Sequence, residues 1–105
     1  MTHHEVNTST LKASTVGVEV TGALMKNAQA NGEDLTALKR LTLTMRARMY
    51  VRIDGPLQQC ISLMGGLVGS MAAPAGQKIF LAPEHGVVVD AGEIIAMVIA
   101  AVPGK

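Results

Sequence analysis

From Leu41 to Ile53 the chain alternates for thirteen residues without a miss. Leu41, Leu43, Met45, Ala47, Met49, Val51 and Ile53 are apolar, and Thr42, Thr44, Arg46, Arg48, Tyr50 and Arg52 lie between them. Successive side chains of a strand point to opposite faces, whereas a helix would scatter these residues around its axis. The run therefore predicts one long strand over about 41–53, with a dry face and a wet face. Asp54-Gly55-Pro56 follows as turn chemistry that ends it. A dry face must be covered, so the strand reads as the spine of a mainly antiparallel sheet in an α+β fold.

The flanking segments supply the rest of that fold. Residues 1–13 are polar and read as a flexible arm, leaving 14–105 as a single α+β domain. Val16, Val18 and Val20 alternate as in a short strand. Residues 23–30 favour a helix stopped by Asn31-Gly32, and Asp34 is placed to cap a short helical turn through Arg40. Leu57, Ile61, Met64 and Val68 recur at helical spacing over 57–71. Gly65-Gly66 and Gly69 each cost a helix about 1 kcal/mol relative to alanine, so a short helix broken at the glycines is expected, with a bent strand as the alternative. The β-rich C-terminal part holds three short strands, at 79–81, 87–89 and 94–102, with turns at 83–86 and 90–93. These strands are apolar on both faces and need cover from the domain or from another subunit.

Composition narrows the function classes. At 105 residues, the chain is one domain in length and large enough for a core without staples. One cysteine excludes a disulfide framework and a cysteine-based zinc site. There are two aromatic residues, Tyr50 and Phe80, so the core rests on aliphatic side chains and methionine, and stacking platforms for nucleic acid are scarce. A net charge of +1 argues against polyanion binding by bulk charge. The most apolar stretch, residues 60–76, is interrupted by Ser, Gly and Pro, so a membrane is not expected as a partner. The start, MTHHEVNTST, shows no secretory signal, and the expected location is the cytoplasm or a particle assembled there.

Four groups of residues could carry chemistry. Arg46, Arg48 and Arg52, with Lys39 and Arg40 upstream, make a run of five basic groups with no acidic one. On one strand face, alternate arginines lie roughly 7 Å apart and suit phosphates or carboxylates. A solvated face paired with acids on neighbouring strands is the plainer reading. His3-His4-Glu5 lacks the partners for a defined metal site. Cys60 sits among Gln59, Ile61 and Leu63 as a buried, inert thiol, and His85 reads as a surface residue in a turn. Glu84, Asp90 and Glu93 flank turns, where acidic residues hydrogen-bond locally. No phosphate-cradling glycine loop, nucleophile elbow or metal motif is present, so no catalytic residue, cofactor or metal is assigned.

Residues 86–98, GVVVDAGEIIAMV, resemble one stretch of biotinyl and lipoyl carrier domains. Those domains show Gly-x-x-Val-x-x-Gly-x-x-Leu-x-x-Val, and Gly86, Val89, Gly92, Ile95 and Val98 hold the corresponding places. The resemblance implies a strand, a tight glycine turn and a second buried strand. Its modified lysine has no counterpart, since only Lys105 follows, and the family is not assigned.

The expected function is a non-enzymatic structural or interaction protein. It acts as a homo-oligomer or as a component of a larger assembly, such as a phage or particle accessory protein. A protein partner fits this reading and a nucleic acid does not. The alternatives are a small module that binds an anionic ligand or acidic partner through Arg46, Arg48 and Arg52, and a carrier or enzyme of another kind.

Overall fold

The computed structural model describes residues 2–103, with side chains from residue 15 onward. The elements among them are α1 Thr2–Ala30, β1 Leu38–Met45, β2 Tyr50–Pro56, α2 Leu57–Met71, β3 Ile79–Ala82, β4 Val87–Asp90 and β5 Ile94–Ala101. Short 3-10 turns, Pro83–His85 and Ala91–Glu93, join the last three strands. The strands form two antiparallel sheets, ordered β2-β1-β5 and β3-β4. The fold is α+β, as the pattern of elements predicts.

The thirteen-residue alternation is a hairpin, not one strand. Arg46-Ala47-Arg48 forms its loop: the Met45 N–H donates to the Met49 carbonyl at 2.8 Å, and the Arg48 N–H to the Met45 carbonyl at 3.0 Å. Leu41 then faces Ile53, and Leu43 faces Val51. A loop of odd length keeps odd positions of both strands on the same face. Alternation therefore passes through the turn unbroken, and no Gly, Asn or Pro marks it. Asp54-Gly55-Pro56, expected to end the strand, are the last residues of β2, which runs straight into α2.

α2 lies at the centre of the packing. On one side Cys60, Leu63 and Leu67 join Leu41, Leu43 and Ile53 of the sheet, together with Ala82, Val87 and Val89 of the β3–β4 hairpin. On the other, Leu57 and Ile61 meet Ala28 of α1, with Leu24, Met25 and Leu35 packed around them. The free amides at the start of α2 are satisfied by a loop rather than a capping side chain. Leu57 donates to the Ala37 carbonyl at 2.8 Å and Gln58 to the Leu35 carbonyl at 2.9 Å. At its end the Lys78 ammonium donates to the Met71 carbonyl at 2.5 Å, a cation at the negative pole of the helix.

α1 and α2 run antiparallel and close together. A Cβ at Gly17 would lie 2.9 Å from the Gly65 carbonyl oxygen, and one at Gly65 would collide with Thr21 Oγ1. That hydroxyl donates instead to the Gly17 carbonyl at 2.9 Å. The helix spacing of Gly17, Thr21, Leu24 and Ala28 thus overrides the local alternation of Val16, Val18 and Val20, and the expected strand there is helical. The expected short helix at 23–30 is the end of α1, and the polar stretch 1–13 enters α1 from Thr2 onward, its side chains lying outside the described residues. α2 does not break at its glycines: Gly65 admits α1, and Gly66 admits Phe80, whose ring carbon would be 2.7 Å from a Cβ there. Asp34 does not start a helix. Its carboxylate accepts from the Thr36 N–H and hydroxyl at 2.9 and 2.7 Å, bonds that hold its pKa below the usual value, and β1 begins at Leu38.

The tail strands fall where expected, but β4 and β5 lie in different sheets. The hairpin implied by the resemblance to carrier domains is therefore not formed. Between them the Ala91 N–H donates to the Lys78 carbonyl, and the Arg46 N–H donates to the Glu93 carbonyl, each at 2.8 Å. These two bonds hand the chain from one sheet to the other. No helix among the described residues is long and apolar enough to cross a membrane.

Two glycine substitutions should act in opposite directions in urea denaturation. Gly22→Ala enters open space, so the gain in helix propensity should stabilise the fold by up to about 1 kcal/mol. Gly65→Ala must push the helices apart and should destabilise it by roughly 1–3 kcal/mol. Equal effects would contradict the close helix contact.

Candidate functional site

β5 is an eight-residue edge strand, IIAMVIAA, with no charge, Pro or Gly. It pairs with β1 on one side, and no strand among the described residues pairs with the other. The opposite edge of the sheet differs. β2 reads YVRIDGP and carries Arg52, Asp54 and Pro56, the residue types that discourage edge-to-edge pairing. Val98, near the middle of β5, is 56% exposed. By register Ala96, Val98 and Ala100 share the outer face with Thr44, Thr42 and Arg40. A second apolar surface lies on the β3–β4 hairpin, where Ile79, Leu81 and Val88 point outward while Phe80, Val87 and Val89 turn in.

The three candidate arginines do not share one strand face. Arg46 and Arg48 lie in the β1–β2 loop, and Arg52 lies on β2. Arg46 Nε stands 3.4 Å from Glu93 Oε2, and both side chains are exposed, so the pair contributes little. The Arg52 guanidinium lies 5.3 Å from the centre of the Tyr50 ring, within cation–π range. Arg40 is occupied by Asp54 across the strand pair, through Nε–Oδ1 at 2.7 Å and Nη2–Oδ2 at 3.0 Å. That fork raises the Arg40 pKa above its ordinary value. The stripe therefore ends as a cluster at the hairpin tip.

The other candidates separate. Cys60 is buried, with its Sγ 3.7 Å from the Lys39 and Gly55 carbonyl oxygens. Burial, aided by the Asp54 charge, pushes its pKa up, the opposite of an activated thiol. His85 is not a free surface residue as expected. Its side chain is 16% exposed, and its Nε2 lies 2.8 Å from the Gln59 amide nitrogen. His85 thus engages Gln59, not Cys60. Glu84 Oε1 stands 4.0 Å from the same ring, the Asp90 carboxylate accepts from the Gly92 N–H at 2.9 Å, and Glu93 faces Arg46. Asp90 serves its own turn, Glu84 stands beside His85, and Glu93 reaches the β1–β2 loop. His3, His4 and Glu5 have side chains outside the described residues. Among the described residues no three His, Cys, Asp or Glu are grouped to hold a metal.

A groove of about 760 Å³ runs beside the helix seam, lined by Gly17, Thr21, Ser62, Gly66, Gly69 and Ser70 among others. Among the described residues no titratable side chain lines it. Sequence reasoning anticipated apolar tail strands needing cover. It missed the unprotected edge, because strand order is not written in the alternation.

The placement of Cys60 predicts slow labelling. A thiol reagent at mildly alkaline pH should modify native protein about a hundredfold more slowly than urea-unfolded protein. Equal rates would show an accessible thiol. Compared with protein family models, curated proteins and solved structures, the chain matches none.

Proposed function

We propose that the protein is a non-enzymatic structural component that self-associates by adding β5 of one copy to β5 of another. The observation that carries this reading is the asymmetry of the sheet, with one edge protected by Arg52, Asp54 and Pro56 and the other uncharged along its whole length. An unpaired edge strand presents a row of backbone donors and acceptors to any matching strand. A second β5 running antiparallel is such a match, because it brings no charge and buries Val98 against a like surface. The result is a continuous sheet ordered β2-β1-β5-β5-β1-β2. The outward Ile79, Leu81 and Val88 leave each copy an apolar surface for further contacts in a larger assembly. The groove beside the helices, whose described lining holds no titratable group, fits a protein whose work is packing rather than chemistry.

Light scattering on a size-exclusion column tests the reading. The wild-type chain should elute as a discrete oligomer of the 10.9 kDa subunit, with a mass insensitive to salt. Val98→Lys brings two ammonium groups together across the seam and should give a folded monomer. A wild-type monomer at high concentration, or an oligomer unchanged by Val98→Lys, would overturn it.

A further inference from the structure

The β1–β2 tip is unusual in where it places an arginine. Arg48 has φ 62°, in the left-handed region, and no other non-glycine residue described has a positive φ. This is the third position of a three-residue hairpin loop, where glycine is the unstrained choice. Strain of this sort is retained where a side chain has a use. The Arg48 guanidinium has no ion-pair partner among the described residues. Met49 and Tyr50 follow directly and are 60% and 57% exposed. Arg46 and Arg52 flank them, and no acidic residue occurs from Arg46 to Ile53. The tip thus displays exposed Met49 and Tyr50, on opposite faces at the start of β2, beside Arg48 and Arg52, with Arg46 next to them and facing Glu93 at 3.4 Å.

We propose that this tip docks onto an anionic lipid surface. Arginines meet headgroup phosphates, Met49 enters the acyl boundary, and Tyr50 sits at the headgroup level where an amphipathic ring is favoured. A membrane partner is not expected from the sequence because its apolar runs are too short and interrupted to span. Surface docking needs no span, only a few cations with apolar side chains between them. The exposed Met49 separates this occupant from nucleic acid. A phosphate backbone would leave Met49 without a partner, and the Tyr50 ring that could stack on a base already carries Arg52.

The test uses the full chain in flotation assays, with phosphatidylcholine vesicles that contain or lack phosphatidylserine, at low and physiological salt. Binding should require phosphatidylserine and weaken with salt. Arg48→Gly should reduce partitioning by roughly fivefold, the contribution of one cation near the surface. The same substitution should raise the melting temperature, because glycine relieves the backbone strain. Loss of binding with a gain in stability distinguishes a docking role from a structural one. Met49→Ser should weaken binding without changing its salt dependence. Failure to bind phosphatidylserine vesicles, equal binding to neutral vesicles, or binding unaltered by Arg48→Gly and Arg48→Glu would overturn the proposal. Tighter capture of RNA or of polyglutamate than of the vesicles would also overturn it.

Discussion

Burial of α2 on two sides is the constraint on which the other elements depend. A helix with a sheet on one side and a helix on the other must be broad on the first and narrow on the second. α2 meets this with Cys60, Leu63 and Leu67 toward the sheet and Gly65 and Gly69 toward Gly17 of α1. Each glycine costs about 1 kcal/mol in helix propensity. Close approach of the two backbones offsets that cost by bringing Leu57 and Ile61 onto Ala28 and Leu24. Phe80, one of the two aromatic residues of the chain, lies over Gly66 and packs on this helix.

Central placement of α2 fixes what remains outside. One helix covers the inner faces of both sheets, while α1 lies on the far side of it. No described element is left to cover the outer face of β2-β1-β5, the free edge of β5, or Ile79, Leu81 and Val88. On the outer face this is tolerable near β2, where the side chains are polar and Arg40 pairs with Asp54 beside Thr42 and Arg52. Nearer β5 the side chains become Ala96, Val98 and Ala100, and the surface turns from polar to apolar within the width of two strands. That gradient leaves the apolar side of the sheet at the β5 edge and the polar side at the β2 edge.

Much of the fold was legible in the sequence, and its failures share a cause. The β3, β4 and β5 positions and the extent of α2 follow from local signals: β-branched runs, turn residues and helical spacing. The strand at 41–53 was misread because Arg46-Ala47-Arg48 turns without a turn residue and has an odd length. The strand at 16–20 was misread because Gly17 and Thr21 are selected by a helix over forty positions away, not by their neighbours. The candidate site was less legible still. Arg46, Arg48 and Arg52 were singled out for charge, yet their arrangement depends on that unseen turn. The edge status of β5 depends on strand order, which period-two patterning does not encode. His85 looked exposed because nothing near it in sequence reveals Gln59, 26 residues away.

The most direct measurement is amide hydrogen exchange of β5 as a function of protein concentration. Self-association through this edge predicts that the β5 amides not bonded to β1 gain protection as the oligomer forms, while those of β2 do not change. Association with unaltered β5 exchange, or with protection gained at β2 instead, would contradict the assignment of β5 as the subunit seam.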